Sequence, residues 1–232
     1  MENLGAELYR WQLATAVAGS VLALNPFDQP DVDASKVATQ QLVGDRKTVA
    51  PEPRVVEVLA DENGRWFGGS ALAGARDRSE VVRSWLHRLA PGGFFATLAY
   101  LPRQPAFEDL LVQLRTAVHE GTGVVTTLGF GPRYLHSTGQ FHKGGPNYGT
   151  FLILTREERE ALPIPGRALS FGQLEDAQAR GDVQVLHQRG RNVLQVHLLG
   201  RVEEALESLV HTVELALREM EPNFPLGREL PS

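Results

Sequence analysis

Gln29 and Lys36, in the stretch NPFDQPDVDASK (residues 25–36), are side chains whose types and spacing can do chemistry. If the stretch is helical, their seven-residue separation is two turns. Both then project from one face, about 10 Å apart along the axis. The start signals of a helix are present. Asp28 can cap it, Pro30 suits its first turn, and Asp31 follows Asp28 at the spacing of a capping box. A cation and an amide beside a helix N-terminus can receive an anionic, hydroxyl-rich ligand. The alternative is a capped surface helix with an ordinary exposed lysine. Asp33 lies beside that face, either as a general base or as a solvated helix carboxylate.

A second candidate is the loop 131–149, which carries Arg133, His136, Ser137, Thr138, Gln140, His142, Lys143 and Asn147 among glycines and prolines. Long connections inside compact domains are often functional. Backbone amides at Gly144 and Gly145, with Lys143 and Arg133, can cradle a phosphate. The alternative is a structural plug whose polar groups satisfy buried backbone. The histidines show no metal-ligand spacing: His136 and His142 have no carboxylate partner nearby in sequence. His87, His119 and His211 fall on amphipathic helices and His197 in a strand. GFGPRY and GGPN lack the glycine spacing and following helix of nucleotide fingerprints. No cofactor or metal is expected.

The pattern F-D-Q-x-x-V-x-x-x-K, formed by Phe27, Asp28, Gln29, Val32 and Lys36, resembles the C-terminal motif of phosphoglucose isomerases. In that family the Gln and Lys of the motif line the sugar-phosphate site, and the Lys acts near the ring oxygen or the C1–C2 chemistry. Three stretches resemble the C-terminal part of bifunctional transaldolase/phosphoglucose isomerase proteins: residues 4–32, 129–155 and 178–198. The resemblance implies Lys36 as a catalytic residue and Gln29 as a substrate-binding one. It implies a glycolytic and gluconeogenic enzyme acting on a sugar phosphate. The family's catalytic Glu, ring-opening His and phosphate loops lie upstream of this motif, so the chain is expected to be the tail of a larger enzyme. TGQFH (residues 138–142) resembles the family's N-G-Q-H. It comes after FDQ, in the wrong order and with one residue inserted, so the catalytic histidine role is not carried over to His142.

Composition bounds the other possibilities. The 232 residues suffice for one large domain or two small ones, and the net charge of −5 with interspersed signs argues against nucleic acid and anionic membranes as partners. With no cysteine, a disulfide framework, a thiolate nucleophile and a Cys-zinc site are excluded. The apolar run from Leu13 to Leu24 is shorter than the about 20 residues of a membrane span. It follows Glu2 and Glu7 instead of a basic region, and a helix-capping turn follows it instead of a cleavage site, so a signal peptide is not expected. It is expected to be a buried helix of a cytoplasmic protein.

The positioning elements follow from periodicity. Helices are expected at 4–24 and 30–43, then a polar linker at 45–54. A hairpin turns at Asn63-Gly64, and a helix at 79–89 starts at Ser79. Strands at 94–101, 123–131, 149–155 and 192–200 alternate with helices at 107–121, 170–189 (broken near Gly181) and 202–220. The expected fold class is α/β (α+β): a helical segment from the end of a sugar-isomerase subdomain, then a ferredoxin-like βαββαβ layer with an extra C-terminal helix. In that layer both helices lie on one face. The expected domains are 1–44, 45–93, 94–221 and a tail at 222–232.

Two functions compete. One is the C-terminal portion of a glucose-6-phosphate isomerase, with sugar phosphate and the remainder of an isomerase/transaldolase chain as partners, in a homo-oligomer. The other is a non-catalytic interaction or phosphometabolite-binding module.

Overall fold

The computed structural model describes residues 3–44, 55–158 and 160–220, which fall into two compact units divided after Pro30. The expected linker at 45–54 and the tail at 222–232 lie outside the described residues. In the first unit, α1 (Leu4–Val21) starts at Asn3, whose side chain accepts from Ala6 N at 3.3 Å. It ends where Ala23 takes a left-handed conformation (φ 54°). Gly19 lets the following turn fold back: a Cβ there would stand 2.6 Å from Pro26 Cδ. The expectation of a buried helix is not met. Leu8, Trp11, Val17 and Val21 are exposed, because apolar residues lie all round the helix and form no single stripe to seat.

The second unit is built on a six-stranded sheet: β1 (Val55–Ala60), β2 (Gly64–Gly69), β3 (Phe94–Ala99), β4 (Val125–Phe130), β5 (Gly149–Arg156) and β6 (Asn192–Leu198), in the order β1-β2-β6-β5-β3-β4. The β1–β2 hairpin turns on Asp61, whose Oδ1 accepts from Asn63 N and Gly64 N at 2.8 and 3.0 Å. This hairpin joins the main sheet by running antiparallel to β6, whereas β3, β4, β5 and β6 are mutually parallel.

The α/β class is as expected, but the arrangement within it is not ferredoxin-like. In FFATLA, TFLILT and NVLQVHL apolar residues fall on both faces of the strand. Such strands are covered on both faces, which suits parallel pairing with helical crossovers. Accordingly α3 (Arg78–Leu86), α4 (Pro105–Thr122) and α7 (Val202–Glu219) cover one face. There Trp85, Leu111, Leu114, Leu206 and Leu209 pack with Phe95, Leu152, Leu154, Leu194 and Val196. On the other face α6 (Phe171–Gln188) brings Ala179, Val183 and Leu186 onto Ala96, Leu98, Phe151, Ile153 and Val193.

Local start and stop signals explain the helix bounds. Asp77 caps α3 by accepting from Glu80 N at 2.8 Å, displacing the expected Ser79. Gly123, at φ 70°, closes α4. Ser170 and Gln173 form a capping box on α6. Gly181 does not break α6. A Cβ there would meet Thr39 N at 3.1 Å and Ser35 O at 3.2 Å, so the glycine admits α2 (Pro30–Gly44) against α6.

Candidate functional site

The expected two-turn relation between Gln29 and Lys36 does not hold. The helix begins at Pro30, so Gln29 precedes it and Asp28 is not at its cap. Proline is suited to this first position because its missing N–H has no intrahelical acceptor there. The inward side of α2 is Asp31, Val32, Ser35 and Ala38, all buried. Lys36 points outward, and its Nζ lies 2.7 Å from Asp33 Oδ1 on the same exposed face.

The 131–149 segment is folded. It holds a 3₁₀ turn (Arg133–His136) and a short helix α5 (Gly139–Gly144). Its polar side chains do not converge as one phosphate cradle. Gln140 Oε1 accepts from Asp31 N at 3.0 Å, and its Nε2 donates to Asp31 Oδ2 at 2.8 Å. Asp31 also pairs with Arg189 at 2.5 Å. Lys143 is fully buried and touches the equally buried Asp182 as an ion pair, though without the angles of a hydrogen bond. The Tyr134 hydroxyl donates to the other oxygen of Asp182 and stands 3.1 Å from the Tyr100 hydroxyl. Burial first, and the Asp182 carboxylate second, push both phenols well above their ordinary range. They are protonated donors at any physiological pH.

His142 is packed among Phe94, Tyr134 and Phe151. Burial holds its pKa down at about 4, with Lys143 and Arg191 acting in the same direction and Asp182 opposing. Arg191 donates to the carbonyls of Lys143 and Gly145, closing the C-terminus of α5. His136 and Thr138 are exposed, and Arg133 faces a separate groove beside β4. Among the described residues no group of His, Cys, Asp and Glu could hold a metal ion.

Sequence reasoning missed Tyr100, Asp182 and Arg191. Asp182 carried a usable signal. It shares the inward face of α6 with Ala179, Val183 and Leu186, and a carboxylate in such company requires a partner.

The carboxyl edge of the sheet carries a further cavity. β3 sends its crossover to β4 on one side and β5 sends its own to β6 on the other, so the strand order reverses between β3 and β5. In open α/β sheets ligands bind in the crevice at this reversal. Here the crevice is about 350 Å³ and is lined by Tyr100, Thr155, Arg156, Glu158, Glu175 and Asp176, among others. Glu158 occupies the N-terminus of α6, accepting from Ser170 Oγ at 2.7 Å and Gly172 N at 3.1 Å. Burial first raises the Glu175 pKa, with Glu158 adding to the effect and Arg156 opposing it.

No family model matches the chain, and no curated protein matches it. Among solved structures it is similar to the hypothetical protein TT0462 from Thermus thermophilus, with a TM-score of 0.51 and 16% identity. The match covers 60% of this chain and 38% of that one, so this chain spans well under two thirds of its neighbour's length. At that identity the likeness concerns fold alone. Among the described residues no helix is long and apolar enough to cross a membrane.

Proposed function

We propose that this chain is the C-terminal portion of a glucose-6-phosphate isomerase that interconverts glucose 6-phosphate and fructose 6-phosphate, with Lys36 in its sugar-phosphate site. The observation that carries the reading is the two-sidedness of α2. Asp31, Val32, Ser35 and Ala38 are buried, while Lys36 is presented outward with Asp33 beside its ammonium group. Aldose–ketose isomerisation needs ring opening, a base that moves a proton between C1 and C2, and positive charge that steadies the enediolate. Lys36 suits the last task. The base and the ring-opening group belong, in this reading, to an upstream sugar-isomerase segment.

The test is a coupled isomerase assay on this chain, on the longer protein carrying the upstream segment, and on that protein with Lys36→Ala. The isolated chain is expected to be inactive. Lys36→Ala should lower kcat by about 10²–10³, the usual cost of one charge-stabilising group. Undiminished turnover by the Lys36→Ala protein would remove the reading.

A second reading, a non-catalytic interaction module, is favoured by one observation. α1 exposes Leu8, Trp11, Val17 and Val21, an apolar surface of the kind that protein partners cover.

A further inference from the structure

We propose that the groove between α4 and the 133–136 turn binds the phosphate group of a small phosphorylated metabolite through Arg103, Arg115 and Arg133. The proposal does not depend on the isomerase reading or on Lys36. Four neighbouring pieces of chain build the groove, all of them around β4 and the connections that flank it. Arg103 follows β3, and α4 contributes Glu108 and Arg115. Phe130 ends β4, and Arg133 opens the 3₁₀ turn with Ser137 just after it. The space is about 490 Å³, within the range of small-molecule sites.

Its charge is opposite to that of the whole molecule. The chain carries −5, yet this groove sets three guanidinium groups against a single carboxylate. Glu108 is taken by Arg103, which also lies over the Phe130 ring at 5.7 Å. Among the described residues, Arg115 and Arg133 have no ion-pair partner. Guanidinium forks match phosphate oxygens in geometry and give the stronger, charge-assisted class of hydrogen bond. The Ser137 hydroxyl adds a neutral donor, and the Phe130 ring an apolar wall for the body of the ligand.

The competing place for an anion is the crevice between β3 and β5, and it is closed to one. Its α6 N-terminus, the usual seat of a phosphate, already holds the Glu158 carboxylate. Glu160, Glu175 and Asp176 add negative charge there against Arg156 alone. The same argument limits the partner's size. A polyanion such as nucleic acid would meet repulsion from the rest of an acidic chain, whereas a small phosphate monoester meets only the groove.

The test is isothermal titration calorimetry at low ionic strength with inorganic phosphate, glucose 6-phosphate and AMP, each titrated into the wild-type chain, Arg115→Gln, Arg133→Ala and, as a control for an exposed arginine outside the groove, Arg76→Ala. Saturable binding of at least one of the three is expected. It should weaken about tenfold or more in Arg115→Gln and in Arg133→Ala, as expected for loss of one charged hydrogen bond, and stay unchanged in Arg76→Ala. Tighter binding of glucose 6-phosphate than of phosphate or AMP assigns the site to a sugar phosphate. Tighter AMP binding assigns it to a nucleotide. As a readout independent of affinity, the amide resonances of Phe130 and Ser137 should shift on titration. Absence of binding, undiminished binding in Arg115→Gln and Arg133→Ala, or an equal loss in Arg76→Ala would overturn the proposal. None of those results would bear on the isomerase assay of the longer protein.

Discussion

Gln140 holds Asp31 by both its backbone and its side chain, across 109 residues of sequence. Its carbonyl oxygen accepts from Asp31 N at 3.0 Å while its amide donates to Asp31 Oδ2 at 2.8 Å. The arrangement does for α2 what a capping box does locally, but the capping side chain comes from α5. It anchors the start of the helix that carries Lys36 to the segment that carries His142 and Lys143. Close approach at Gly144 belongs to the same joint, since a Cβ there would stand 2.3 Å from Asp31 Oδ2.

Gln140→Ala should therefore destabilise the chain by about 1–2 kcal/mol, the range for a lost helix cap. Gln140→Glu keeps an acceptor for Asp31 N but places a second carboxylate against Asp31. It should cost more than the alanine variant at neutral pH. Urea unfolding at pH 7 checks both statements. Equal stability of wild type and Gln140→Ala would mean that Arg189 alone suffices to hold Asp31.

His142 makes a pH prediction whose sign is fixed by burial. Its folded pKa is about 4 against the ordinary 6.5, so between those values the unfolded chain binds a proton that the folded chain refuses. The neutral ring's contribution is complete above about pH 6.5 and is lost as pH falls toward 4. Over the full interval the loss is roughly 3 kcal/mol, at about 1.4 kcal/mol per unit. The groups facing the ring are Asp182 from α6, Lys143 from α5, Arg191, and the rings of Phe94, Tyr134 and Phe151. His197, also depressed by burial, has the same sign but is common to wild type and variant. His142→Phe, which keeps a ring in place, should lose less stability than wild type between pH 7 and pH 4.5. Parallel pH profiles for the two proteins would refute the assignment.

The helices and strands were legible because their signals are local. Leu206, Leu209, Val210 and Val213 in α7 repeat at helical spacing, and Gly123 marks a helix end. Strand direction was less accessible. FFATLA and NVLQVHL carry apolar residues on both faces, and reading them as strands covered on both faces would have pointed to parallel pairing and to α4 and α6 on opposite sides. The candidate site was the least legible. Arg133 and Lys143 are ten residues apart in one loop, yet one faces an open groove and the other is buried. What separates them is Asp182, which lies in another helix and draws Lys143 inward. No spacing within residues 131–149 could show that.

The Lys143–Asp182 pair gives the last prediction. Both side chains are fully buried, and Asp182 is further fixed by the Tyr134 hydroxyl, which is itself 3.1 Å from that of Tyr100. Taking two charges out of water is expensive, and their attraction roughly repays the cost only while both are present. Lys143→Met keeps the length of the side chain but strands the carboxylate. It should cost about 3–5 kcal/mol, the range for breaking a buried pair from one side. Adding Asp182→Asn removes the stranded charge and leaves an amide oxygen to accept from Tyr134. The double variant Lys143→Met/Asp182→Asn should therefore be more stable than Lys143→Met alone, with a coupling of about 1–3 kcal/mol. Denaturant unfolding of wild type, both single variants and the double variant at pH 7 gives the cycle. If the double variant is no more stable than Lys143→Met, the loss comes from packing around α5 and not from the uncompensated Asp182 charge.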